Sequence, residues 1–523
     1  MWRADSRAYQ WVRENPLAFV ILVAVAVRIP AILWSKGFIH SDDHYDTVMI
    51  AYDWLINGFW GENGFLRWRG QPSETIGRFP LYNLSLWAVM ASLKSIGVHS
   101  LDSMMYVVRS LHSLLSLAPV LAAFKIVQWT SKSWKWAVLA GLMAALNFGM
   151  PFLGVRNLIE VVGGNVWILA LLAAYKWKDS PHWKWLFLAG VLSGLAWMIR
   201  FQVAFAVMAV PVVLWFDSKS FRPAVQFSLG VALMLLLSGV ADLLLLGRFA
   251  GSTITNITMN FGLPPLYKTI PLLYPALLLL FLVLPFSPVL GKVMFRRSLI
   301  RNHRLLWFTS MFFVLSHSLM ANQQERFVFP IVPAFLVLAA LALWHKYQDD
   351  GYILKSRPLL RGLVSVTLAF NLALLAFFTP AYGHRGLIEP ILSVRDVDPD
   401  ADVLFIQPGL RKYIPMAYAG EKMHRFYVRQ WSDLQRVRES SADAFEFVVL
   451  YPPEASRLSE FMDSASSVVG PLNPEFEVTP SSYDWLLNAL NGKHNPDYAA
   501  YVYRPQGLAD NKEAAPKSLT PLQ

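Results

Sequence analysis

The residues best able to do chemistry sit in one heptapeptide, His40-Ser41-Asp42-Asp43-His44-Tyr45-Asp46, which packs three carboxylates and two imidazoles directly behind an apolar run. Four more polar groups interrupt apolar stretches: Arg156, Asn157 and Glu160; Arg200 and Gln202; Asn256 and Asn260; and Gln323-Gln324-Glu325-Arg326. Carboxylates in such a cluster suit a general base that takes a proton from an attacking hydroxyl. The arginines suit a phosphate, because a guanidinium presents a fixed fork of donors and keeps its charge.

The elements that must position these groups are membrane helices. Of 523 residues, 55% are hydrophobic and 15% charged, whereas an ordinary soluble domain carries about a quarter charged residues. The net charge of +11 lies mostly in short loops between apolar runs. That is the positive-inside pattern of a polytopic membrane protein, and no nucleic-acid partner is expected. The absence of cysteine excludes disulfides, thiolate metal sites and thiol catalysis.

At about 17–25 residues per span, the apolar runs predict eleven helices, near residues 17–35, 104–128, 136–151, 157–175, 184–199, 201–216, 223–246, 271–291, 305–320, 327–344 and 362–379. The stretch 79–96 is a twelfth candidate. Counting it as a span would invert the side of every later basic loop, so it reads as an interfacial or re-entrant helix within a first outer loop of residues 36–103. The predicted class is thus an all-α polytopic membrane domain over 1–380. A small α/β outer domain follows over 381–506, where strand-like runs alternate with polar helical pieces, and a disordered tail over 507–523.

This topology sends all five polar groups to the outer membrane face, and ionisable groups at membrane depth mark functional sites by default. A lipid-borne sugar phosphate meeting a hydroxyl acceptor would use both the carboxylates and the arginines; a transport pathway could use them too. Plainer uses exist for each. Asp42 or Asp43 can cap the helix expected over 45–57, Arg28 can snorkel or pair with another buried group, and Arg200 and Arg326 can anchor helix ends. His40 and His44 have the spacing of a helical metal pair, but nothing places His40 on a helix, and no metal or other cofactor is expected.

An acidic pair just after the first membrane helix, inside a large outer loop and followed by many spans and an outer C-terminal domain, resembles the GT-C superfamily of membrane glycosyltransferases. Within it the chain is most similar to glycosyltransferase family 22, the dolichyl-phosphate-mannose-dependent α-mannosyltransferases. That family has His-Pro-Asp-Glu where this chain has His40-Ser41-Asp42-Asp43. It also has His-Lys-Glu-Glu-Arg-Phe leading into Phe-Pro, where this chain has Asn322-Gln323-Gln324-Glu325-Arg326-Phe327-Val328-Phe329-Pro330. Weaker likenesses cover 156–160 and 194–202.

The resemblance implies a GT-C fold and transfer of a hexose, mannose before others, from a polyprenyl-phosphate-linked donor to a glycan or glycolipid acceptor, inverting the anomeric centre in a single displacement. It places the general base on Asp42 with Asp43 as its acidic partner, and the donor phosphate on Arg326, Arg200 and Arg156. His40, Glu160, Gln202, Gln324 and Glu325 would orient the acceptor or the arginines. The departures from the family motifs leave sugar and acceptor open. They are consistent with a bacterial relative using an undecaprenyl-type carrier, in an inner membrane with its site facing the periplasm or exterior; a eukaryotic source would give an ER membrane and a luminal site. Trp60, Phe65, Trp68 and Phe79 of the outer loop are candidates for stacking on sugar rings. Two rivals stand beside this reading: another GT-C branch, transferring aminoarabinose or glycosylating protein hydroxyls, and a transporter or flippase for a lipid-linked precursor. Against the last, the sequence shows no repeated halves.

Overall fold

The computed structural model of the chain describes residues 7–40, 44–62, 64–68, 76–262, 270, 272–282, 287–320, 323–347, 358–410, 413–441, 445–492 and 499–506. Asp42, Asp43, Asn322 and the tail 507–523 lie outside the described residues. The chain forms two compact units. The first comprises Met1–Leu33, Gly58–Leu86 and Val108–Pro380, and the second Trp34–Asn57, Trp87–Val107 and Ala381–Gln523.

Seven helices among the described residues are long and apolar enough to cross a membrane: Pro16–Trp34, Leu101–Ser131, Ile159–Asp179, Phe201–Ser218, Phe221–Leu246, Glu325–Tyr347 and Arg361–Phe378. Trp134–Leu146 and Trp183–Ile199 are apolar but shorter. The expected span 305–320 is the 16-residue helix Arg304–Leu319. The expected span 271–291 contains the helices Leu273–Phe281 and Ser287–Met294, with 283–286 outside the described residues. Polar breaks explain part of the shortfall against eleven full spans. The helix expected over 136–151 stops at Leu146 because Asn147 turns its amide to the carbonyl of Phe281, 2.6 Å away, and a short helix resumes over Gly149–Gly154. The stretch 79–96 folds as the helix Leu81–Ser95. The protein is an integral, multi-pass membrane protein.

Lipid gives helices no hydrophobic reason to associate, so close backbone packing must do it. Trp183–Ile199 and Phe221–Leu246 pack this way through two glycines. A Cβ on Gly190 would lie 2.0 Å from the Phe227 carbonyl oxygen, and one on Gly230 would lie 2.3 Å from that of Phe187. The other face of Phe221–Leu246 exposes Leu229, Leu233, Leu236, Val240 and Leu244 at helical spacing, as a lipid-facing stripe requires. Arg28, buried within the first span, is a structural residue. Its Nε donates to Ser116 Oγ at 2.7 Å, and its two Nη atoms donate to the carbonyls of Ala24 at 3.0 Å and Ser116 at 3.1 Å. It therefore pins the first span to the point where the hydrogen-bond ladder of Leu101–Ser131 is interrupted ahead of Pro119.

The second unit is built on a five-stranded sheet of order β2-β1-β3-β5-β4. Strands β1 (Asp402–Ile406), β2 (His424–Val428) and β3 (Phe447–Leu450) run parallel, and β5 (Ala500–Pro505) runs antiparallel between β3 and β4 (Leu472–Val478). All four residues of β3 are buried, as expected of a strand covered on both faces. The segment leaving the first span is stitched to the start of the C-terminal region: Phe38 N donates to Gly383 O at 3.3 Å and Gly383 N to Lys36 O at 3.1 Å. Asp484, in a capping box with Ser481, also accepts from the backbone of His384 at 2.7 Å and Arg385 at 3.0 Å, which caps the helix Arg385–Val397. Lys94, near the end of Leu81–Ser95, pairs with Glu421 at 2.6 Å.

The glycine contact can be tested directly. Gly190→Leu must push two backbones apart, so its expected effect is a loss of about 1–3 kcal/mol, read as a lowered unfolding temperature in detergent beside an unchanged Leu229→Ala control on the lipid face.

Candidate active site

In the first unit, three of the residues singled out by the sequence meet. Glu160 lies in the first turn of Ile159–Asp179, where a carboxylate complements the helix dipole. Arg200 is the residue at which Trp183–Ile199 ends and the chain turns extended, so its cation sits at a helix C-terminus. Arg326 lies in the 3-10 segment Glu325–Ile331. Glu160 Oε1 is 2.8 Å from Arg200 Nη2 and 3.5 Å from Arg326 Nε. All three are buried, Glu160 completely. Both guanidiniums also lie against the ring of Phe327, at 4.9 Å and 5.6 Å from its centre.

The sequence allows this convergence because Glu160 is followed one turn later by two glycines. A Cβ on Gly163 would come 3.0 Å from Arg200 Cβ, and one on Gly164 would come 2.7 Å from the Pro330 Cα. Small residues there let the segments bearing both arginines approach the helix backbone. Two guanidiniums around one carboxylate sum to one positive charge, which suits an anion carrying one negative charge.

The turn before Arg326 is held by polar side chains. Gln323 is buried; its Nε2 donates to the carbonyls of His317 and Ser318, each at 3.0 Å, and its Oε1 accepts from Ile270 N at 2.6 Å. The Gln324 carbonyl accepts from Phe327 N at 3.1 Å. Glu325 is exposed. Gln202 is half-buried with its Oε1 turned inward. Arg156 is buried with its guanidinium 5.0 Å from the centre of the Phe152 ring, and its neighbour Asn157 accepts a hydrogen bond from Tyr82, whose hydroxyl also lies 3.0 Å from His112 Nε2. Asn256 and Asn260 serve local bonds: Asn256 Nδ2 donates to Gly77 O at 3.0 Å, and Asn260 Nδ2 to Asn256 O at 2.8 Å. Among the loop aromatics, Trp68 and Phe79 are buried and Phe65 packs on Gly247, leaving Trp60 exposed.

In the second unit the described residues flanking Asp42 and Asp43 are tightly held. His44 N donates to His40 O at 3.3 Å. The His44 ring stacks between Phe38 and Tyr418, at 4.7 Å and 5.8 Å with interplanar angles of 8° and 7°. Phe38 in turn touches His384 at 4.4 Å, and the Tyr45 hydroxyl donates to Tyr413 O. Burial pushes the His44 imidazole down to about 3, so the ring is neutral at physiological pH. Among the described residues, no three His, Asp or Glu side chains gather as metal ligands would.

Two expected outcomes follow from these environments. Glu160→Gln leaves two guanidiniums sharing a buried site without their carboxylate, so stability should fall by about 3–5 kcal/mol, measured as thermal unfolding in detergent; an unchanged unfolding temperature would refute the burial. For His44, the unfolded chain binds a proton between about 6.5 and the lowered folded value that the native chain does not. Stability should therefore decline as pH falls through that window, by up to about 1.4 kcal/mol per pH unit. His44→Phe, which keeps a ring in the stack, should lose less unfolding temperature than the parent between about pH 7 and about pH 5.

Over residues 19–403 the chain matches the model of the Alg9-like mannosyltransferase family. No curated protein sequence matches it significantly. Among solved structures, it is similar to ArnT from Cupriavidus metallidurans bound to undecaprenyl phosphate, with a TM-score of 0.60 and 13% identity over 93% of this chain and 98% of that one. The same enzyme in the apo state gives a TM-score of 0.60 and 13% identity over 95% and 98%. At that identity the likeness is one of fold. The helical membrane unit, the small C-terminal sheet and the family match agree, and the chain belongs to the Alg9-like mannosyltransferase family, as an integral-membrane glycosyltransferase of GT-C fold.

Proposed function

We propose that this glycosyltransferase moves a hexose, mannose in the first place, from a polyprenyl-phosphate donor to a hydroxyl of a glycan or glycolipid on the extracytoplasmic face. The observation that carries this reading is the buried Glu160–Arg200–Arg326 cluster inside an apolar helical unit. Guanidiniums in such a setting fit a phosphate whose substituents are apolar on one side and a sugar on the other. The undecaprenyl phosphate bound by ArnT supports a polyprenyl phosphate as the carrier, and the family supports mannose.

In this mechanism the acceptor oxygen attacks the anomeric carbon as the bond from that carbon to the phosphate oxygen breaks, and the configuration inverts. Asp42 takes the acceptor's proton, with Asp43 beside it in sequence as its acidic partner. The phosphate leaves with the bonding electrons as a lipid monoester and gains negative charge. Arg200 and Arg326, with Arg156, hold the phosphate and stabilise that charge where it develops. Glu160 fixes the two guanidiniums in place. His40, Gln202, Gln324 and Glu325 are left the orienting of the acceptor. With guanidiniums in the role a divalent cation plays elsewhere, the scheme calls on no metal.

Transfer from radiolabelled undecaprenyl-phosphate mannose tests the assignment. Asp42→Asn should lower turnover by at least about 10²-fold while the unfolding temperature stays within error of the parent. If Asp42→Asn is active and Asp43→Asn is dead, the base moves by one residue. Full activity in both variants removes the pair from catalysis.

A further inference from the structure

One buried group beside the arginine cluster has no role in this scheme. His317, in the last turn of the helix Arg304–Leu319, is the one ionisable side chain in the apolar run 305–320. It is 2% exposed. Its Nδ1 lies 2.9 Å from the Phe313 carbonyl, which can only accept, so Nδ1 carries the proton and the neutral ring presents a lone pair at Nε2. That Nε2 is buried and without a partner among the described residues. A buried polar atom left unmade costs roughly 1–3 kcal/mol, and such atoms in native proteins usually meet a ligand, an ion or water.

The surroundings narrow the choice. The ring is walled by aromatic side chains: Phe313 stacks on it at 4.1 Å, while Phe205 and Tyr274 meet it edge-on at 5.1 Å and 6.0 Å. Arg200 is close enough for its charge to act on the ring. Gln323, which holds the turn leading to Arg326, also binds the His317 carbonyl. His317 is therefore tied through its backbone to the turn that leads to Arg326, and its ring lies within range of the Arg200 charge. A second inward-facing acceptor, Gln202 Oε1, lies in the turn Phe201–Val203 that follows Arg200.

We infer that His317 Nε2 is a donor-sugar recognition site, accepting a hydrogen bond from a hydroxyl of the hexose whose phosphate Arg200 and Arg326 hold. This rests on the donor-phosphate reading above and deepens it. The chemistry discriminates within the ligand: phosphate oxygens have lone pairs and would repel a lone pair on Nε2, and the prenyl chain has nothing to donate. In a polyprenyl-phosphate hexose the hydroxyls alone can donate. Reached along the bonds from the phosphate, the first of them is on C2, the position at which mannose and glucose differ in configuration. The aromatic walls suit the C–H faces of a pyranose ring. His317 is thus a specificity-determining residue, separate from the groups that bind phosphate.

Two lipids separate the possibilities in calorimetric titrations of the full chain in detergent: undecaprenyl phosphate, and undecaprenyl-phosphate mannose. His317→Phe keeps the aromatic packing and removes the acceptor. It should weaken the mannosylated lipid by about tenfold and leave the bare phosphate lipid within about twofold. His317→Gln, which restores an acceptor, should recover most of the loss. Equal weakening of both lipids, or of neither, would overturn the assignment while leaving the arginine site standing. If the parent protein binds neither lipid, or Arg326→Ala binds both as well as the parent does, the donor-phosphate reading fails and the His317 assignment falls with it.

Discussion

A single carboxylate shared between two guanidiniums, sealed in an apolar helical unit, is the constraint on which the rest of the membrane part depends. Charges removed from water are tolerated only when they are paired with good geometry. Glu160 can reach both arginines only if three separate elements end at the same place: the first turn of one helix, the last residue of another, and a 3-10 segment preceding a third. Gly163 and Gly164 make the approach sterically possible, and Gln323 holds the turn that delivers Arg326. The ionic knot and the helix packing therefore specify one another: loosening the backbone contact strands the charges, and removing the carboxylate sets the cations against each other.

The second unit solves its positioning problem with different forces. Ring stacking on His44, backbone pairing of 36–38 with 383, and the carboxylate of Asp484 capping the helix Arg385–Val397 hold the described flanks of the acidic heptapeptide. Neutral imidazole suits this arrangement, since a charged ring between two aromatic faces and out of water would be costly.

Legibility in the sequence followed the cost of the residues. Arg200, Glu160 and Arg326 stood out because ionisable groups are expensive in an apolar context, and that same logic marked Arg28. Which partners they choose was not legible, because the pairs are remote in sequence: Arg28 ends on Ser116, a structural role, while Arg200 and Arg326 end on Glu160. His317 carries a weaker signal, an imidazole alone in an apolar span, which type and spacing do not distinguish from a satisfied core histidine. The outer-loop aromatics mislead in the opposite way. Trp68 and Phe79 look like sugar-stacking residues by type and are core residues by burial, and composition alone does not distinguish the two. Membrane class and the α/β tail were readable from hydrophobic runs and alternation. The grouping of 34–57 and 87–107 with the C-terminal region was not, since periodicity reports the state of a segment and not its partner.

That grouping fixes an order of events during biosynthesis. The Ser35 hydroxyl donates to the carbonyl of Ala381 across 346 residues of chain. At ribosomal speeds of about 5–20 residues per second, roughly 17–70 s separate the appearance of the two ends of that bond. Phe38, His44 and Tyr45 are thus synthesised early, yet the residues they pack against, His384, Tyr418 and Tyr413, are synthesised later, after the membrane helices. Through that interval the protein has its membrane helices without a finished second unit, and a chain truncated before residue 381 would stay in that immature state however well its helices had inserted.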